Sequence, residues 1–367
     1  MDFVYFFSLL SFAVSFLAAD ATLQLICPLQ TLYQLGASKS DTGNLIRVLP
    51  VGPTILAARF PYGETFPGRP TGRWSNGRLM IDYTAMALGL PLLNPYLDNK
   101  ASFNNGVNFA VAGSTALNSS FFAMRGVIVP SFITPLSGQL SWFKTYLASI
   151  CSTPTECDGK LRRALIFVGE IGGNDINYPL AQGKSLQEIQ TYLPFINQAI
   201  INTTREIIQA GALQIVVPGN FPIGCFPFGL SALASNDSTS YDEFGCIRSL
   251  NNLVLNQNNN LKLAISSLRR EFPDVVIIYS DYYNAFLSVL RGAPILGFDR
   301  ENLLKACCGR APFNPLSPQF CGNPGVPVCL NPRRYVHWDG IHLTQEANRR
   351  ISEILMRDIL LRIRCIR

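Results

Sequence analysis

The stretch ALIFVGEIGGND, residues 164–175, decides the fold class. An apolar run gives way to a glycine-rich polar loop, the pattern of a buried strand that ends at a functional edge. Three other runs break in the same way: TLYQLG (31–36), QIVVPGNFPIG (214–224) and VVIIYSD (275–281). Helical patterns lie between them, over 185–210 and 250–271. Strands alternating with helices predict a parallel sheet covered on both faces. Ligands of such sheets sit at the carboxyl ends of the strands, where these loops fall. No repeat, low-complexity tract or linker interrupts the pattern, so residues 20–367 read as one domain. Residues 307–335, rich in Cys, Pro and Gly, read as a stapled loop leading to the last helix.

Ahead of that domain, residues 1–19 (MDFVYFFSLLSFAVSFLAA) are almost wholly apolar and end in small residues, as a secretory signal peptide does. The run stops at Asp20, short of a comfortable span with basic flanks, so no stable membrane insertion is expected once it is removed. The chain has ten cysteines, no CxxC pair and two histidines. That excludes an ordinary zinc site and points to disulfides in an oxidising compartment, with Cys151–Cys157 and Cys225–Cys246 as local pairs. Sequons at Asn118, Asn202 and Asn236 favour a glycosylated surface. The product is expected outside the cell or in the vacuole. Net charge is +6, or +7 without the leader and its Asp2. The one basic run, Arg349, Arg350, Arg357, Arg362, Arg364 and Arg367, alternates helically with Ile351, Leu355, Ile359 and Ile363, and reads as a solvated helix face rather than a nucleic-acid surface.

Histidine is the natural general base near neutral pH, and both histidines fall in YVHWDGIHLTQEAN (335–348). Asp339 precedes His342 by three residues, a spacing at which the carboxylate can hold one ring nitrogen and leave the other for a nucleophile. Thr344 is placed to cap the final helix. Ser38 lies just past an apolar strand and before a polar turn, where a nucleophile is exposed and backbone N–H groups are at hand. Asn174, in GGNDIN (172–177), could donate its amide to developing negative charge, and Gly113, in NFAVAGST (108–115), its backbone N–H.

The order Ser38, Gly113, Asn174, Asp339, His342 in these words resembles the plant GDSL esterase/lipase (SGNH hydrolase) family over essentially the whole mature chain. PYGETFPGRPTGRWSNGRLMIDYTA (61–85), VPGNFPIGCFP (217–227) and CCG (307–309) carry the likeness further. VGEIGGND, NDSTSYDE and SDYYNAF resemble its acetylajmalan esterase branch. The resemblance implies a three-layer α/β/α fold around a parallel sheet. It implies Ser38 as nucleophile, His342 as base, Asp339 as its orienter, and an oxyanion hole from Ser38 N–H, Gly113 N–H and the Asn174 amide. It implies hydrolysis of a small ester, expected to be an acetyl ester of an alkaloid or similar metabolite, with no cofactor and no metal. His337 matches no functional position and is expected on a surface or in a loop.

The family word G-D-S-[apolar]-S-D is here Gly36-Ala37-Ser38-Lys39-Ser40-Asp41. Ala37 cannot bond neighbouring N–H groups as an Asp would, so the nucleophile turn is expected to be less firmly held. Lys39 reads first as a solvated side chain near a helix start. The sharper alternative points its charge into the pocket. Two functions follow: a serine esterase, or a descendant with impaired hydrolysis that binds a metabolite or uses the His342–Asp339 base for acyl transfer, elimination or cyclisation.

Overall fold

The computed structural model describes residues 29–311, 313 and 317–363. The expected signal peptide (1–19), Cys27, Cys365, Arg364 and Arg367 lie outside the described residues. Five parallel strands form the sheet: β1 Thr31–Leu35, β2 Gly106–Asn108, β3 Ala164–Val168, β4 Gln214–Pro218 and β5 Val276–Ser280. Their order is β2-β1-β3-β4-β5. Four of them match the apolar runs of the sequence. β2 is a three-residue strand inside what reads as loop, aligned on β1 with Val107 opposite Tyr33.

Successive side chains of a strand point to opposite faces, and the core divides accordingly. Leu35, Ile166, Val168, Ile215 and Val217 face one layer. It holds helices α2 (Leu136–Ile150), α4 (Leu193–Gln209) and α5 (Arg248–Glu271), named together with α1 (Met80–Ala87) and α3 (Gly173–Ala181) in chain order. Leu32, Leu165, Phe167, Val216 and Ile278 face the other layer, formed by α1, α6 (Tyr282–Arg291) and α7 (Gln345–Arg362). In α7, Ala347, Ile351, Leu355 and Ile359 recur every fourth residue on the buried side, while Arg349, Arg350 and Arg362 pair with Glu346, Glu353 and Asp358 on the other. The outcome is the expected three-layer α/β/α sandwich. The pattern over 185–210 proves to be two helices, Leu186–Gln190 and α4. Pro194 lacks the N–H an uninterrupted helix would use there, and it fits instead in the first turn of α4.

Four disulfides fasten the described chain: Cys151–Cys157 and Cys225–Cys246, as expected, and Cys307–Cys329 and Cys308–Cys321 within the stapled loop. No described helix is long and apolar enough to cross a membrane. In this strand order the chain reverses its direction of winding between β1 and β3, and the crevice outside the carboxyl ends there is where a ligand fits. Ser38 follows β1 and Asn174 follows β3.

Candidate active site

The turn after β1 is held from all sides by polar side chains. Asp41 is fully buried and accepts four backbone N–H groups: Gly43 (2.7 Å) and Asn44 (2.6 Å) on Oδ1, Leu45 (3.1 Å) and Ala112 (2.8 Å) on Oδ2. Burial pushes its pKa up against the pull of those four donors. Gln139 of α2 accepts from Gly36 N (2.8 Å) and donates to Gly36 O and Ser114 Oγ (both 2.9 Å). The Asn108 amide reaches Ser40 O at 2.6 Å. Ala37 turns its methyl into the apolar core and donates its N–H to Glu170 O at 3.1 Å. With Ala at position 37, the acceptors that hold the turn are Asp41 and Gln139. No α-helix starts beside Ser38; the turn runs into the 3-10 segment Leu45–Arg47. Ser38 is 6% exposed.

The second loop carries the base. His342 Nδ1 lies 2.9 and 2.8 Å from the two Asp339 oxygens. Asp339 also accepts from Ile341 N (2.7 Å), His342 N (2.8 Å) and the Tyr62 hydroxyl (2.8 Å). Burial alone would raise the Asp339 pKa, but the His342 charge and these hydrogen bonds hold it below the usual carboxylate range. Burial, followed by the Asp339 charge, raises the Tyr62 pKa, so its hydroxyl stays a donor. Trp74 packs against the His342 ring at 5.0 Å between centroids, the planes tilted by 35°. The loop is braced from behind by the stapled segment, through Cys307 N to His337 O (3.0 Å) and Cys308 N to Trp338 O (2.7 Å). Thr344 caps α7, accepting from Ala347 N at 3.2 Å.

Tyr62 and Trp74 reach the site on a strap that the sequence reading did not connect to it. Asn76 Oδ1 accepts from Gln345 N (2.8 Å), Gln345 Oε1 from Arg78 N (2.9 Å), and a buried bidentate Arg73–Asp82 pair (2.9 and 2.8 Å) closes the strap on α1.

Two of the three expected oxyanion donors, Gly113 and Asn174, lie on loops that bond to each other. Asn174 donates to Ser114 O at 2.9 Å, and Asp175 accepts from Ala116 N (2.8 Å) and Leu117 N (3.0 Å). The loops after β2 and β3 are thereby tied to each other, and through Gln139 to the Ser38 turn. Gly113 has φ +84°, and a Cβ there would come within 2.9 Å of Ile133 and Tyr178, so only glycine fits.

Lys39 is not solvated. Its side chain is 11% exposed, with Nζ 3.8 Å from Glu170 Oε1 and 5.4 and 5.2 Å from the ring centres of Phe221 and Phe226. It lines a pocket of about 10 Å³ shared with Ser38, Glu170, Asn174, Asn220 and Phe226. His337 is not on the surface either: it is fully buried against Phe226 and Phe286, at 4.7 and 5.7 Å between ring centres. The apolar walls that exclude water there are invisible in the local sequence. Among the described residues, the one His/Cys/Asp/Glu group close enough to share a metal is Cys225, Asp242 and Cys246. It is a disulfide beside a carboxylate and offers no thiolate.

Comparison with known proteins places this architecture. The family described as GDSL-like Lipase/Acylhydrolase matches residues 32–355. The chain belongs to that family. Acetylajmalan esterase of Rauvolfia serpentina is 53% identical over 360 residues, covering 98% of this chain and 91% of that protein. Acetylajmalan esterase 2 of the same plant is 52% identical, covering 96% and 97%. An Arabidopsis thaliana GDSL esterase/lipase is 44% identical, covering 93% and 92%. A solved phospholipase A1 from Streptomyces albidoflavus NA297 shares 11% identity and a TM-score of 0.33 over 71% of this chain and 82% of its own, and adds nothing to the assignment. This GDSL protein is a carboxylic ester hydrolase.

Proposed function

We propose that this GDSL hydrolase is a secreted serine esterase that removes an acetyl group from a hydroxyl of a plant alkaloid or similar metabolite. The buried Asp339–His342 pair carries the reading: Nδ1 is engaged by the carboxylate, which leaves Nε2 for the nucleophile. The likeness to two acetylajmalan esterases, at 52% and 53% identity, supports the substrate class.

The chemistry is two-step acyl transfer. Ser38 Oγ attacks the ester carbonyl as His342 Nε2 takes its proton. Negative charge on the carbonyl oxygen is met by the N–H groups of Ser38 and Gly113 and the Asn174 amide. The C–O bond to the alcohol breaks, and His342 returns the proton to the departing oxygen. Water then repeats the sequence on the acyl-enzyme and releases the acid. Asp339 keeps the imidazole in one tautomer and balances its transient charge.

Residues 1–19 are removed on export, which delivers the enzyme to the vacuole or the cell exterior. Four disulfides fit that oxidising route. Asn118, Asn202 and Asn236 are all exposed and available to carry glycans. Intact mass after incubation with a fluorophosphonate tests the mechanism. A single adduct is expected, absent in Ser38→Ala, together with turnover of p-nitrophenyl acetate that Ser38→Ala and His342→Ala both abolish. No adduct on folded protein would overturn the serine mechanism and leave a non-hydrolytic use of His342 as the alternative.

A further inference from the structure

Which way an ester must lie on Ser38 follows from proton transfer. The departing alcohol takes its proton from His342, so it occupies the His342 and Trp74 side. The acyl substituent then points the other way. The pocket on that side is lined by Ser38 and Asn174 but by neither His342 nor Asp339.

Most of its walls would suit a hydrocarbon tail: Phe221, Ile223, Phe226, Phe228 and Ile341. Yet the space left is about 10 Å³, room for a single water or little more. Lys39 is the long, flexible side chain among those that enclose it. Its Nζ is drawn 3.8 Å from Glu170 Oε1 and lies 5.4 and 5.2 Å from the faces of Phe221 and Phe226, an arrangement that favours an ammonium group. Three buried acceptors around it have no partner: Glu170 Oε2, Asn177 Oδ1 and Asn220 Oδ1, all on residues that line the same pocket. A longer alkyl chain pressed against them would return no hydrogen bond.

We propose that Lys39 sets the acyl length of this esterase: held between Glu170, Phe221 and Phe226, it closes the acyl side of Ser38 to groups longer than acetyl. This rests on the esterase reading above. Lys39 is thus a specificity determinant, acting by volume first and by polarity second. An acetyl methyl asks the least of the space that remains. Each added methylene needs the volume Lys39 fills.

The test is a chain-length series of p-nitrophenyl acetate, butyrate and hexanoate. Wild type is compared with Lys39→Ala and with Lys39→Ala/Glu170→Gln, the second variant sparing the fold a buried, unpaired carboxylate. In wild type kcat/KM is expected to fall by about 100-fold or more from acetate to hexanoate. In both variants that ratio is expected to shrink at least tenfold. Lys39→Met, which keeps the length without the charge, is expected to retain most of the acetate preference. An unchanged ratio in the double variant, with acetate still turned over, would overturn the role of Lys39 and leave the esterase intact. A Lys39→Met profile as broad as that of Lys39→Ala would overturn the assignment to volume. No turnover of any ester by any of these proteins would instead overturn the esterase reading, and the length filter with it.

Discussion

The two sides of Ser38 are built on opposite principles. On the base side both Asp339 oxygens are engaged, by hydrogen bonds from Tyr62, Ile341 N, His342 N and the His342 ring. On the acyl side Glu170 Oε2, Asn177 Oδ1 and Asn220 Oδ1 are buried with no partner. A saturated network fixes one geometry and leaves nothing for a ligand to satisfy. An unsaturated one keeps interaction energy in reserve for what enters. The first suits a group that must hold one proton-transfer geometry through the whole cycle. The second suits a pocket that selects.

The most damaging way to break this contrast is to leave donors unsatisfied on the saturated side. Asp41→Asn replaces one carboxylate oxygen with an NH₂ group that would face backbone N–H donors on a turn holding Ser38. A displaced nucleophile loses about 100-fold in rate per ångström or so, and kcat/KM for p-nitrophenyl acetate is expected to fall by at least that factor. Activity within threefold of wild type would show that the turn does not depend on Asp41. A smaller effect comes from Tyr62→Phe. It deletes one of several donors to Asp339 and leaves the packing of Tyr62 on Trp74 and Trp338 in place. Loss of one hydrogen bond to a charged group predicts about a tenfold drop in kcat, with KM unchanged and the acid limb of the pH–rate profile moved up as Asp339 becomes easier to protonate. A KM effect alone would place Tyr62 in substrate binding.

Much of this was legible in the sequence because the sheet is parallel. Its strands are buried on both faces, so TLYQL and ALIFV stand out in the sequence, and the loops after them carry Ser38 and Asn174. β2 was not legible: three residues with a buried Asn108 give no apolar run. Asp339 and His342 declare themselves because they touch across three residues. Tyr62 touches Asp339 across 277 residues, brought there by a strap anchored on Gln345, and no local pattern encodes that. The solvated reading of Lys39 and the surface reading of His337 fail for a single reason, while the alternative for Lys39, a charge in the pocket, agrees with the structure. Charge and polarity in a local word predict solvent, and only the fold reveals the aromatic rings that enclose both.

His337 gives the finest probe of the contrast because it lies between the two sides. Burial pushes its pKa down from 6.5 to about 3; Asp339 pulls it up, and Lys39 pushes it further down. The unfolded chain takes up a proton on His337 below pH 6.5 that the folded protein refuses. Its contribution to stability is therefore present above pH 6.5 and is lost as pH falls towards 3. Asp175 works the opposite way. Burial raises its pKa to about 7, so it favours the folded state more as pH falls from 7 to 4. A direct reading of stability against pH mixes the two, but His337→Phe removes only the first, and the phenyl ring suits the existing contacts with Phe226 and Phe286. Between pH 6.5 and pH 4 the histidine is worth about 3 kcal/mol at roughly 1.36 kcal/mol per pH unit. The fall in Tm from pH 7 to pH 4 is thus expected to be smaller in His337→Phe by about 5 °C, read by differential scanning fluorimetry. Equal falls in the two proteins would mean that His337 takes up its proton in the folded state, and that Asp339 rather than Lys39 dominates the field between the two sides.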